Sequence, residues 1–328
     1  MKKLQQHIEK FYNFTNVKIS HIRSSEDNDT YKVSSNCGLF FVRLSKRLVK
    51  DTNEVMKELD FLQFLKKQNV LVAGVIKNIN GLLMTNFENK ILVVFEWIEG
   101  NSFNILPNNY LSELQAYNGG SALASVHNAS IKYGTPFQLQ RTITTEIERA
   151  LLLSDDIKAR YNNGNVFLDI ITKMIDFAKN NISRKNIIIH NDFRPHNVLF
   201  GVDSSKKKIS CIVDFDWICV APPIKDLALA LVEWSLADGG TEVNWRNFNA
   251  FFKGYCNIID SDFYPKVSDL EQWIEFSCLS DTATYIADVI TEEKKRELSV
   301  NFEPRELKSH MFRKIQYFKQ IDIESNLK

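Results

Sequence analysis

Apolar and polar positions follow two different rhythms along the chain. Residues 1–14, "MKKLQQHIEKFYNF", read as a short amphipathic helix. Residues 15–45 read as strands and turns. Within them "TYKVSS" and "LFFVRLS" flank "NCG", which predicts a hairpin turning near Asn36–Gly38. From Glu54 to Gln68 the apolar residues Val55, Leu59, Leu62 and Leu65 recur at helical spacing. Two further apolar runs, "GLLMTNF" and "ILVVFEWIEG", are punctuated by Gly81 and Gly100. The first hundred residues therefore read as β-β-α-β-β, a small and mostly antiparallel sheet with one helix. After Gly100 the rhythm changes. Residues 110–182 are mainly helical, two short apolar strands follow, and residues 224–328 are helical again. The prediction is a bilobal α+β plan with lobes at 1–97 and 98–328 and the boundary near residues 96–101.

Composition narrows the class of molecule. A chain of 328 residues can bury at least one sizeable core. With 44% hydrophobic and 25% charged residues it looks like an ordinary globular enzyme. A net charge of +1 gives no global field to attract nucleic acid, and none is expected as a partner. Cys37, Cys211, Cys219, Cys256 and Cys278 are scattered without a CxxC pair. That spacing argues against a disulfide framework or a zinc site and favours the reducing cytoplasm. The opening residues lack a signal-peptide core, and no window approaches the roughly 20 apolar residues of a membrane helix.

The chemistry concentrates in two places. "IIIHNDFRPHNVLF" runs from Ile187 to Phe200, and "CIVDFDW" runs from Cys211 to Trp217. In each, an apolar strand ends in acids that a buried strand does not need. Phosphoryl transfer from a nucleotide requires a carboxylate to orient the attacking hydroxyl and accept its proton. It also requires oxygen ligands for a metal on the phosphates and a cation paired with them. Mg²⁺ prefers carboxylate and amide oxygens and keeps several waters. Asp192 is the candidate base; Asn197 and Asp214 are the candidate metal ligands. Taken singly, an HxD or an Asp and Asn in one loop means little, since both residues form turns. The joint pattern behind a β-rich lobe carries the reading.

That pattern, "HNDFRPHN" followed 17 residues later by Asp214, resembles the HxDxxxxN and DFG pair of protein kinases. It is more similar to the aminoglycoside phosphotransferase and choline kinase superfamily of small-molecule kinases. There the arginine after His and the glycine of DFG are often replaced, as by Asn191 and Asp216 here. The likeness covers most of residues 20–235 and is strongest over 187–235. It implies a protein-kinase-like fold, with ATP and Mg²⁺ as cofactors and a hydroxyl as acceptor. It also gives His190 a bracing role and makes Asp226, in "APPIKDLALALVEWS", an anchor for the loop. "APPIKD" starts four residues after Asp216, which leaves no room for a protein kinase's activation loop.

The same resemblance assigns the nucleotide side. Alternation puts Leu39, Phe41 and Arg43 on one face of their strand and Phe40, Val42 and Leu44 on the other. Arg43 matches the phosphate-pairing cation of the family, and Phe41 could stack on the base. Glu58 fits the family's partner for that cation best, with Glu54 one turn away as the alternative. "VVFEWIEG" fits the hinge. The carbonyl of Glu96 and the N–H of Ile98 would read the adenine edge, with Phe95 behind it. The phosphate-covering segment Ser24–Thr30 departs from the kinase pattern: it has no glycine and carries Glu26, Asp27 and Asp29.

The acceptor is less defined. Between residues 235 and 293 there are eleven acids and three bases, in a chain that is nearly neutral. An acidic cleft would concentrate a cationic amino sugar or amino alcohol. Trp217, Trp234, Trp245 and Trp273 could line a quaternary-ammonium pocket or belong to the core. "DLALALVEW" also resembles homoserine kinase-like members, whose acceptor carboxylate Arg194 could hold. A kinase-like binding or regulatory protein without catalysis is the alternative of another class.

Overall fold

The computed structural model describes the chain except for residues 25–27, 46–51, 103–110, 137, 182–184, 203–207, 237–242, 296–305, 308–309, 320–322 and 328. Two compact units emerge. One comprises Met1–Ser102 with Val198–Asp216, and the other comprises Phe103–Asn197 with Trp217–Lys328. Segment 198–216, read from sequence as part of the C-terminal lobe, thus clusters with the N-terminal unit. Its hydrogen bonds explain why: the N–H of Ile212 donates to Leu71 (2.6 Å) and Phe200 pairs with Asn101.

The N-terminal unit begins with α1 (Lys2–Tyr12), then β1 (Lys18–Ser24), β2 (Asn28–Ser35), β3 (Gly38–Ser45), α2 (Thr52–Lys67), β4 (Thr85–Phe87), β5 (Lys90–Glu96) and β6 (Asn101–Ser102). Five of these strands form one antiparallel sheet in the order β1-β2-β3-β5-β4. The expected β-β-α-β-β pattern is therefore one strand short. β1 is almost entirely exposed, so no buried alternation marks it in the sequence, and it exists by pairing with β2. The run "GLLMTNF" is a strand only at its last three residues. Before them Gly81 turns at φ +78°, and the side chain of Asn78 accepts from the N–H groups of Asn80 and Leu82. The hairpin at Ser35–Gly38 forms as expected.

The sheet has two covered faces. Leu4, Ile8 and Tyr12 form the apolar stripe of α1 and pack with Val33, Phe40, Val42, Leu44, Leu92 and Val94. Full burial of each such side chain contributes roughly 1.5–3 kcal/mol. Alternation along β3 leaves Phe41 and Arg43 on the other face, towards α2. A three-stranded sheet, β6-β8-β9, adds β8 (Val198–Phe200) and β9 (Ile209–Ile212) to this unit.

The second unit holds α3 (Glu113–Tyr133), α4 (Thr145–Leu151), α5 (Ser154–Arg160), α6 (Gly164–Asn181), β7 (Ile187–Ile189), β10 (Cys219–Ala221), α7 (Pro223–Ser235), α8 (Trp245–Cys256), α9 (Val267–Lys295), α10 (His310–Phe318) and α11 (Ile323–Asn326). Where two strands were expected around the motifs there are four, each three or four residues long. Ser112 starts α3 with a capping box to Gln115. α3 and α8 cross on glycine. A Cβ at Gly120 would stand 2.0 Å from the carbonyl oxygen of Phe251, and one at Gly254 would stand 2.0 Å from that of Tyr117. Beneath the loop that follows β7, Phe193 stacks on Trp234 at 5.7 Å and 13°, and Phe251 closes the cluster. Trp234 and Trp273 are thus core residues, 1% and 4% exposed.

Candidate active site

The N-terminal unit presents a cation fixed between carboxylates. Arg43 on β3 forms an ion pair with Glu58 on α2 at 2.8 Å and another with Asp216 just after β9. All three side chains are nearly buried. Burial alone would disfavour the guanidinium charge. Asp216 and Glu58 outweigh it, with a further contribution from Asp214, and hold Arg43 protonated more firmly than usual. Asp216 also accepts from the side-chain amide of Asn28 at 2.8 Å. Glu54 bonds Lys57 at 2.6 Å, so of the two glutamates it is Glu58 that meets Arg43. Phe41 and Phe95 are cross-strand partners with ring centroids 6.0 Å apart, and Phe95 is buried.

Glu96 ends β5. Its carboxylate accepts from Lys66 Nζ (2.8 Å) and the N–H of Gly74 (3.0 Å), and the Lys66 bond leads the fall in its pKa. Ile98 follows in the segment without regular secondary structure after the strand. Of the phosphate-loop candidate, residues 25–27 lie outside the described residues; Asp29 accepts from Ser24 Oγ at 2.5 Å.

Asp214 stands at φ +67°, a left-handed backbone that costs a non-glycine residue about 1–2 kcal/mol. Its side chain is exposed. Such strain persists where the surroundings over-determine it, as happens at functional sites.

In the second unit the loop that carries Asp192 is tied to one buried carboxylate. Asp226, fully buried on the first turn of α7, accepts from the N–H groups of His190 (2.9 Å) and Asn191 (3.0 Å). It also meets His127 Nε2 at 3.1 Å. Burial works against its charge, but the His127 bond and the nearby His127, His190 and Lys225 hold its pKa below the usual carboxylate value. His190, also fully buried, takes the N–H of Asp192 on Nδ1 at 3.3 Å. Asn191 sits at φ +67°, and its side-chain amide donates to the Trp217 carbonyl at 3.0 Å.

This scaffold displays Asp192. One carboxylate oxygen accepts from Arg194 Nε, and the other from the side-chain amide of Asn197 at 2.8 Å. That amide also bonds the Asp192 carbonyl at 2.8 Å. Arg194 continues to Asp281 on α9, with Glu233 3.9 Å away. Burial, helped by Glu233 and Asp192 and opposed by Arg194, raises the Asp281 pKa. A cleft of about 160 Å³ opens over this cluster, with Trp217, Lys225, Ser277 and Thr284 among its walls. His196 is exposed.

Sequence reasoning missed several of these residues. Asp216 was read only as a replaced glycine, yet it pairs with Arg43. Asp281 was one of eleven acids, and its i−4, i−1 and i+3 neighbours Ser277, Ser280 and Thr284 were the signal that it shares a polar helix face. Arg194, expected to await a substrate carboxylate, is already bound by Asp192 and Asp281.

Each unit carries an oxygen donor of the kind a hard divalent cation takes. Asp214 offers carboxylate oxygens, and Asn197 spends its amide N–H on Asp192, leaving its oxygen as a ligand. Among the described residues no cluster of three or more His, Cys, Asp or Glu could hold a metal alone.

Comparison with known proteins follows from this geometry. A family model described as the phosphotransferase enzyme family matches residues 18–255. No curated protein matches in sequence. Among solved structures, the amicoumacin kinase in complex with AMP-PNP and Ca²⁺ aligns with TM-score 0.70 and 13% identity, over 99% of this chain and 93% of that one. A spectinomycin phosphotransferase bound to ADP and spectinomycin gives 0.61 and 15%, over 99% and 97%. A microcompartment-associated aminopropanol kinase gives 0.57 and 17%, over 92% and 98%. The fold is that of the kinase-like phosphotransferases.

Proposed function

The chain belongs to the phosphotransferase enzyme family, and from that premise we propose that it moves the γ-phosphoryl group of ATP to a hydroxyl of a small, amine-bearing acceptor. The observation that carries this reading is the loop at Asp192, whose carboxylate is presented at the mouth of a cleft while Asp226 fixes the backbone behind it. Asp192 orients the acceptor hydroxyl and takes its proton as the oxygen attacks the γ-phosphorus. The bond to the bridging oxygen breaks and ADP leaves. Lobe 1–97 holds the nucleotide: Arg43, steadied by Glu58, faces the phosphates, Phe41 and Phe95 flank the base, and the backbone of Glu96 and Ile98 reads its edge. Asn197 and Asp214 would hold Mg²⁺, which when bound neutralises phosphate charge. Lobe 98–328 receives the acceptor.

The acidic cleft around Asp192 and Asp281 supports an amino sugar or amino alcohol, and the structural neighbours include kinases of spectinomycin and aminopropanol. A homoserine kinase-like activity is the nearest alternative. Among the described residues no helix is long and apolar enough to cross a membrane, and all five cysteines are unpaired, which supports a cytoplasmic setting.

The test is Mg²⁺-dependent transfer from ATP across aminoglycosides, choline, ethanolamine, homoserine and simple sugars. Asp192→Asn should lower turnover by about 10²–10⁴-fold while ATP still binds. Asp214→Ala should remove metal-dependent nucleotide binding as well. Full activity in both variants would overturn the site. ATP binding without transfer to any acceptor would favour a non-catalytic, kinase-like regulator.

A further inference from the structure

Both carboxylate oxygens of Asp192 are held, and by unlike partners. Asn197 donates to one at 2.8 Å, and Arg194 Nε donates to the other. Each ionised oxygen carries two lone pairs, so both contacts leave room for an acceptor hydroxyl. Asn197 belongs to the same loop and moves with it. Arg194 reaches out of the loop, where its Nη2 donates to Asp281 on α9. A guanidinium is a rigid planar fork, so seating Nη2 also sets the direction of Nε. The arginine stem is flexible, and without a seat at its far end it would orient nothing.

Asp281 meets the demands of that seat. It lies well inside the 29-residue α9. Its neighbours Cys278, Leu279 and Ala283 are exposed by 1% or less, which roots the helix in the core. A side chain on such a helix is placed more sharply than one on a loop. Glu233 is the other acid in reach, but at 3.9 Å from Nη1 it lies beyond hydrogen-bond distance. It meets Lys314 of α10 at 3.2 Å instead. An acid on the cleft wall also invites another role, as a seat for the ammonium of an amine-bearing acceptor. We infer that Asp281 is a positioning residue: it acts on the reaction through Arg194, which aims the Asp192 carboxylate, and not by holding the acceptor. This deepens the kinase reading and rests on it for the role of Asp192.

The test is a double-mutant cycle over Asp281→Ala and Arg194→Ala. It uses full-length protein, Mg²⁺-ATP and the member of the acceptor panel above that the wild type phosphorylates best. Melting temperatures check that each variant is folded. Asp281→Asn, which keeps the shape and one acceptor oxygen, takes the place of Asp281→Ala if that variant does not fold. A misplacement of about 1 Å costs roughly 10²-fold in rate, so Asp281→Ala should lower kcat by about 10- to 100-fold and leave the acceptor KM within about threefold of wild type. Asp281→Asn should recover part of the lost kcat. In an Arg194→Ala background, Asp281→Ala should change kcat by less than about twofold, because residues that act through one contact do not add. A raised acceptor KM with kcat kept is what loss of an ammonium seat would give. That result overturns the assignment and leaves the kinase reading intact, as do losses that add across the cycle. A wild type that transfers phosphate to no acceptor overturns the kinase reading, and the assignment falls with it.

Discussion

Replacing Asp226 by alanine should damage stability and turnover together, because one carboxylate serves three buried donors. The N–H groups of His190 and Asn191 lose their acceptor, and so does His127. Leaving a buried donor unsatisfied costs about 1–3 kcal/mol each. Removing one member of a buried charged cluster costs about 3–5 kcal/mol. These terms overlap, so the expected loss is about 3–5 kcal/mol rather than their sum. The loop should also relax. Asn191 is held at φ +67° against a conformational cost of about 1–2 kcal/mol, and Asp226 supplies one of its restraints. A shift of about 1 Å at Asp192 would cost roughly 10²-fold in rate. The assay is urea unfolding of wild type, Asp226→Ala and Asp226→Asn, followed by tryptophan fluorescence, since Trp234 packs directly beneath the loop. Turnover is measured on the same samples. Asp226→Asn keeps one acceptor oxygen and should fall between the others. If Asp226→Ala unfolds within about 0.5 kcal/mol of wild type and keeps its turnover, the anchoring argument is wrong.

The same residue sets a pH dependence. Its folded pKa lies below the unfolded value of 3.8, so its contribution is complete above pH 3.8 and is lost as pH falls through the folded value. Denaturation at pH 7, 4 and 3 should show this acid loss in wild type and a shallower one in Asp226→Asn. Gly120→Ala should destabilise the second unit by at least about 1–3 kcal/mol, because the new methyl meets the Phe251 carbonyl and backbone cannot step aside as a side chain can. A melting temperature equal to that of wild type would refute that crossing.

Much of this protein is written locally. The alternation in "LFFVRLS" separated the α1-facing residues from Phe41 and Arg43 because side chains on a strand have period two. The apolar runs ending in His190-Asn191-Asp192 and Asp214 marked two loops as candidates because nothing in a buried strand calls for acids there. The spacing of α2 brought Glu58 into reach, although only the fold chose it over Glu54. Other features had no local signature. β1 lacks a buried face, so its pairing with β2 comes from the sheet and not from its own pattern. Asp216 and Arg43 are far apart in the chain, as are Arg194 and Asp281, and no periodicity relates them. The sequence could count acids over 235–293 but not say which one faces Asp192. Nor could it show that Arg194 is already held by Asp192 and Asp281, because the charge at a point depends on which side chains the fold buries together.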